Sequence, residues 1–213
     1  VTTKVPDLRS YERNPAPLLY TRAQLIAEPA TEPVSLAEVR EHLRVTHNDE
    51  DAALWALTTA ARVTVENVTR RSFINQTWRL YLDRFPKERG FRIPQAPVQS
   101  VTHIKYYDKD GVQQTFASSR YWLDPISAPA RIFLREGEDW EDVEDDRPNA
   151  VEITYIAGYG AEASTVPAPI KHAIKLLVAH LYENPDLVNA GQLSEIPMSI
   201  DFLLAPYRVI SFF

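Results

Sequence analysis

The residues best suited to chemistry are carboxylates. Eight of the eleven residues from Glu136 to Asp146 are acidic: Glu136, Glu138, Asp139, Glu141, Asp142, Glu144, Asp145 and Asp146. Clustered carboxylates can bind Ca²⁺ or Mg²⁺, and with His103 or His172 they would make a metal-dependent hydrolase, the enzyme alternative. The run lacks EF-hand spacing and a closing bidentate glutamate, so a solvated loop is the preferred reading. A third is a like-charged surface that repels DNA. Asp108-Lys109-Asp110-Gly111 opens like a calcium loop, but Val112 offers no ligand oxygen and the following residues continue as a strand, so a hairpin turn is expected. Gly158-Tyr159-Gly160 with Ala163 gives a minimal G-x-G-x-x-A. A dinucleotide site needs a helix opening directly on those glycines, whereas the next helix waits until Pro167–Ile170, so a turn with a permissive backbone is preferred. The five histidines (His42, His47, His103, His172, His180) form no H-x-x-x-H pair, and no nucleophile elbow or Walker A loop occurs. No catalytic residue, metal ligand set or cofactor is assigned, and the chain is expected not to be an enzyme.

Composition narrows the field further. The chain has 213 residues, a formal net charge of −6 and no cysteine. The length suits one domain able to bury a core without disulfide or metal staples. Absence of cysteine removes thiol chemistry and Cys-ligated metal, and it suits a reducing compartment. No signal peptide or membrane-length apolar run is visible. The acidic balance argues against a dedicated nucleic-acid binder. Without the segment 136–146 the chain would hold 23 bases against 21 acids, so this one segment supplies the negative balance.

The elements that must position these residues are of two kinds, which makes the fold class α+β. Ser35-Leu36-Ala37-Glu38 has the form of a capping box, and Leu36, Val39 and Leu43 follow at helical spacing, giving a helix near 36–45. A second helix near 49–71 carries the stripe Leu54, Leu57, Ala61, Val65 and Val68, with acids in its first turn. From Gln76 the period changes to two, as Trp78, Leu80 and Leu82 alternate with polar neighbours. Strand-like runs recur at Val101–Tyr107, Val112–Phe116, Arg120–Leu123, Ala130–Leu134 and Val151–Ile156. A small antiparallel sheet is therefore expected over about 76–157, inserted into a helical core. Ile170, Ile174, Leu177 and Leu181 mark a helix near 168–184, and a short helix follows near 199–205. The expected organisation is an extended arm over 1–33, a single domain over 34–205, and an extended tail over 206–213.

The order of segments says more than any single motif. Glu32-Pro-Val-Ser-Leu-Ala-Glu-Val-Arg-Glu-His-Leu-Arg-Val45 precedes the acid-started helix. Then come Gln76-Thr-Trp78, Ile153-Thr-Tyr-Ile-Ala-Gly-Tyr-Gly160, Val166-Pro-Ala-Pro-Ile170 opening a helix that ends Tyr182-Glu-Asn184, and Ile200-Asp-Phe-Leu-Leu-Ala-Pro-Tyr-Arg208. From Glu32 to Val209 this series resembles the head–tail connector (adaptor) proteins of tailed bacteriophages. The resemblance implies a helical core with a β insertion and a non-enzymatic role in the virion neck, after assembly in the host cytoplasm. It implies a ring of copies, usually dodecameric, docked on the portal protein. Such a ring extends the channel through which DNA passes without sequence-specific binding. It also offers a surface to the next neck or tail-completion protein. Another neck part, a stopper or tail-completion protein, is the alternative within the same class.

Two segments are then expected to meet partners. Ile200, Phe202, Leu203, Tyr207, Val209, Ile210, Phe212 and Phe213 crowd into the last fourteen residues, and an apolar tail of this kind fits portal docking. A strand completing the chain's own sheet is the competing account. The acidic run 136–146 is the candidate channel-facing segment.

Overall fold

The computed structural model describes residues 23–144, 146–184 and 198–209. The four expected helices are present: α1 (Leu36–Leu43), α2 (Asp51–Thr69), α3 (Ala168–Glu183) and α4 (Met198–Leu204). At α1 the capping box forms as read: the Ser35 hydroxyl accepts from the Glu38 N–H, and the Glu38 carboxylate accepts from the Ser35 N–H. Such a cap is worth about 1 kcal/mol. Pro169 sits in the first turn of α3, where its missing N–H costs nothing.

Between and before the helices run eight strands: β1 (Ala23–Ala27), β2 (Gln76–Leu82), β3 (Gly90–Ile93), β4 (Val98–Tyr107), β5 (Gln113–Phe116), β6 (Tyr121–Asp124), β7 (Ala130–Leu134) and β8 (Val151–Ala157). They make two antiparallel sheets, β1-β2-β8-β4-β5 and β3-β7-β6, where one had been expected. The α+β class stands, but the five-stranded sheet reaches outside the insertion. Residues 23–27 of the expected arm pair with β2, Ala23 opposite Leu80 and Leu25 opposite Trp78. Further along the same arm, Glu32 is buried, as is Val34 just beyond it. The distal part of that segment is thus built into the domain, while residues 1–22 lie outside the described residues.

Two cores result. One fills the space between the sheets, with Leu80, Ile104, Ile153 and Tyr155 from the larger sheet and Ile93, Ile132 and Leu134 from the smaller. The other is helical, centred on Leu54, Val65, Ile170, Ile174 and Ile200. The segments entering and leaving the β half cross where the cores meet. The Asn75 N–H donates to the Gly160 carbonyl (2.9 Å) and the Tyr159 N–H to that of Phe73 (3.0 Å). Gly158 lies at φ +150°, and a Cβ there would stand 2.6 Å from the Asn75 nitrogen. Gly158 therefore marks a close backbone crossing that only glycine permits, whereas a Cβ at Gly160 would meet the Thr165 side chain.

Candidate assembly surfaces

The acidic run is where the geometry departs most from the expected solvated loop. It crosses the open end of the β core as an irregular strap, pinned by its apolar residues. The Trp140 ring stacks on Phe85, with centroids 4.9 Å apart and planes inclined by 6°, and its indole N–H donates to the Glu88 carbonyl (3.0 Å). Val143 is buried in the same core. The Glu144 N–H donates to the Tyr107 carbonyl (3.1 Å).

The carboxylates are partly neutralised by cations on neighbouring turns and on the segment that follows the strap. Arg120 donates to Glu138 (2.5 Å), to Glu141 and to the Asp139 carbonyl (2.9 Å), and its guanidinium lies 4.4 Å over the Phe116 ring. Lys109 binds Asp142 (2.6 Å), and Arg147 reaches Glu144 (3.5 Å) while covering the Tyr107 ring. Glu136, Asp139, Asp142 and Asp146 are exposed, and Asp145 lies outside the described residues. Lys109 stands in the Asp108–Gly111 turn, which forms as a hairpin turn: Asp108 accepts from the Asp110 and Val112 N–H groups, and Gly111 takes φ +74°.

The groups that a hydrolase would need are not brought together. His103 stands on β4, where burial, then Lys105 and Arg79, hold its imidazole below the ordinary value. His172 is on α3 in the helical half, its ring edge-on to His42 of α1 at 6.1 Å. Among the described residues no three His, Asp or Glu side chains converge as a metal ligand set. Nor is any helix there long and apolar enough to cross a membrane.

The C-terminal segment is divided between inside and outside. Ile200 and Leu204 are fully buried in the helical core, and Leu203 and Tyr207 pack half-buried against it. Val209 is buried too, and its N–H donates to the Thr69 carbonyl (3.0 Å), while Arg71 donates to the Tyr207 carbonyl (2.5 Å). Residues 206–209 therefore do not leave the domain as an extended tail, nor do they join a sheet. Ile200 and Val209 are spent on the chain's own fold, because Ile200 completes the helical core and Val209 binds the α2 terminus. Phe202 is the outward member, 81% exposed. Ile210, Phe212 and Phe213 lie outside the described residues.

A buried ionic cluster escaped the sequence analysis. Arg62 of α2 donates to Glu32 (2.8 Å) and to Glu66 (2.8 Å). Glu66 also accepts from the Phe73 N–H (2.9 Å) and the Gln76 amide (2.8 Å). All three charged side chains are nearly inaccessible. Burial pushes the Glu66 carboxyl above the ordinary carboxylate range, against the pull of Arg62. The Arg62 guanidinium, which burial alone would weaken as a cation, is held charged by Glu66 and Glu32. The available sequence signal was the i,i+4 placement of Arg62 and Glu66 beside the apolar stripe rather than opposite it.

The outer face of the smaller sheet carries aromatic and arginine side chains. Trp122 pairs across strands with Phe133, and the Arg135 guanidinium lies 3.6 Å over the Trp122 ring. Asp124 closes this edge, accepting from the Ser127 hydroxyl (2.7 Å) and from Arg131 (2.7 Å), with its carboxyl pulled down to about 2 by the Ser127 hydroxyl and then Arg131. A depressed carboxyl stabilises the fold above its unfolded value near 3.8, and that contribution is lost as pH falls through about 2. An NMR titration of the Asp124 side chain is expected to show a midpoint near 2. Arg131→Ala moves that midpoint upward.

Residues 33–121, from just before α1 to the first residue of β6, match the family model described as Phage gp6-like head-tail connector protein. The resemblance read from the order of segments holds for that stretch. Three solved structures are similar over nearly the whole chain. A chain of "Virion of native gene transfer agent (GTA) particle" superposes with a TM-score of 0.75 at 26% identity, covering 90% of this chain and 97% of that one. A chain of "Neck of empty GTA particle computed with C6 symmetry" gives 0.74 at 28%, with the same two coverages. A chain of "Neck of native GTA particle computed with C12 symmetry" gives 0.70 at 27%, covering 89% and 97%. No curated protein matches the chain.

Proposed function

We propose that the chain is a structural protein of the neck of a phage-like particle, a head–tail connector that works as a ring of copies. The ring docks on the portal, continues the DNA channel and presents an attachment surface to the next neck or tail-completion protein. The observation that carries this is the mutual coverage with neck chains: the similarity spans 90% of this chain and 97% of theirs. The role is mechanical. The acidic strap is the segment proposed to face the channel, where unpaired carboxylates such as Glu136 and Asp146 would repel phosphate and let DNA slide.

Portal docking falls to Phe202, Ile210, Phe212 and Phe213, with Leu203 and Tyr207 in support. The test is co-expression with the portal protein encoded alongside this chain, followed by affinity capture and electron microscopy of purified particles. The intact chain is expected to be captured and to stand in the neck. Phe202→Asp combined with truncation after Val209 is expected to lower capture at least tenfold while the thermal melt stays unchanged, since Phe202 is largely solvated. Capture unaffected by those changes sinks the docking assignment. A wild-type chain absent from particles sinks the connector reading.

A further inference from the structure

We infer that the outward side of α2 is the surface by which one copy of this chain packs against the next. The helix holds three charged residues, Asp51, Arg62 and Glu66. Asp51 is tied to Arg40 of α1, and Arg62 and Glu66 point inward to the buried cluster. Ala52, Ala56, Ala60, Val63 and Asn67 therefore follow one another along a solvent-facing side with no charge on it, and Trp55, 45% exposed, flanks its N-terminal end. The fifteen steps from Ala52 to Asn67, at 1.5 Å each, make a strip of about 22 Å.

A helix on a protein surface ordinarily turns its charged residues outward and its apolar ones inward. In α2 the ionic residues are inside and the outer side is alanine and valine. Small side chains also allow a second element to approach closely, because the distance between packed helices is set by the side chains at the contact.

A second copy is the occupant that fits. Each copy carries a net charge of −6, so neighbours repel unless they meet on a charge-free face, where no ion is stripped of water. The similar neck chains come from assemblies computed with C12 and C6 symmetry. In a closed ring each copy meets its neighbours head to tail, so α2 needs only an uncharged, apolar counterpart on the next copy. The inference rests on the ring reading above and assigns that ring its contact face.

The test uses Ala56→Glu with Val63→Glu, and Ile126→Glu as a control at a 94% exposed apolar position in the β half. Oligomer size is read by mass photometry and native mass spectrometry, on the free protein and on protein bound to portal. Wild type and the Ile126→Glu control are expected to form rings. The α2 variant is expected to lose at least tenfold of the ring population, with its melting temperature unchanged. Because the chain has no cysteine, Ala60→Cys carrying a thiol-coupled photocrosslinker reports directly on what lies over the face, and the adduct is expected to be a second copy. Rings formed by the α2 variant as readily as by wild type overturn the inference and leave the ring standing. A wild type that forms no ring, free or on portal, overturns both. Should the α2 variant melt early, the Ala60→Cys adduct decides: a second copy supports the assignment, and no adduct in assembled rings overturns it.

Discussion

Arg62→Met lowers the unfolding free energy by about 3–5 kcal/mol, because it strands Glu32 and Glu66 in a buried site with their cation removed. The methionine refills most of the volume, so the loss is electrostatic. In a chain of this size that loss lowers the melting temperature by roughly 6–20 °C. Glu66 retains the Phe73 N–H and the Gln76 amide, which keeps the penalty below that of a naked carboxylate. The loss shrinks when the acids go too. Adding Glu32→Gln and Glu66→Gln to Arg62→Met is expected to recover most of the loss. Chemical denaturation of the single and triple variants measures this, and a triple variant no better than Arg62→Met would show that packing, not charge, is what the cluster supplies.

Trp140→Ala costs about 3 kcal/mol, near the lower end of aromatic truncations because the ring is only partly buried. It removes the stack on Phe85, the contacts with Phe91 and Phe116 and the bond to Glu88. Neutralising the strap's acids is expected to do far less. Asp142→Asn and Glu144→Gln each break one solvent-exposed pair, and such pairs contribute about 0–1 kcal/mol. Thermal melts of the three variants separate the two accounts of this segment. If the charge changes cost as much as the tryptophan, ion pairing holds the strap; if the tryptophan costs nothing, the strap is a loop after all.

What was legible in the sequence follows from how local the signals are. The Ser35–Glu38 box, the stripe on α2 and the alternation around Trp78 are written within a few neighbouring residues, and each places its element to within a few positions. Ala23–Ala27 and Gly90–Ile93 are too short for the alternation of Ala23-Gln24-Leu25 and Phe91-Arg92-Ile93 to stand out. They become strands because β2 and β7 offer unpaired edges, a tertiary fact. The run 136–146 looked hydrated because its charges outnumber its two anchors, Trp140 and Val143, and no local rule says which of the two sets decides. The divided C-terminus was hidden for a similar reason: Ile200 and Phe202 are equally apolar on paper, and only the position of α3 turns one inward and the other out. The cluster at Arg62 needed Glu32, thirty residues away, before its charges made sense inside.

The interruption of the helical core by the β half also sets a timetable for synthesis. By the time Thr69 has been added, α1 and α2 are complete, yet their principal partner α3 ends at Glu183. At roughly 5–20 residues per second, the inner stripe of α2 waits on the order of ten seconds without the surface it will finally cover. The sheets can close in that interval, since β2 and β8 both precede α3. Their closure places Gln76 opposite Ala157 and so delivers α3 to the waiting pair from a fixed point. A nascent chain stalled before Val151 would hold both halves open at once, and that is the stage at which neighbouring chains on a polysome are most exposed to one another.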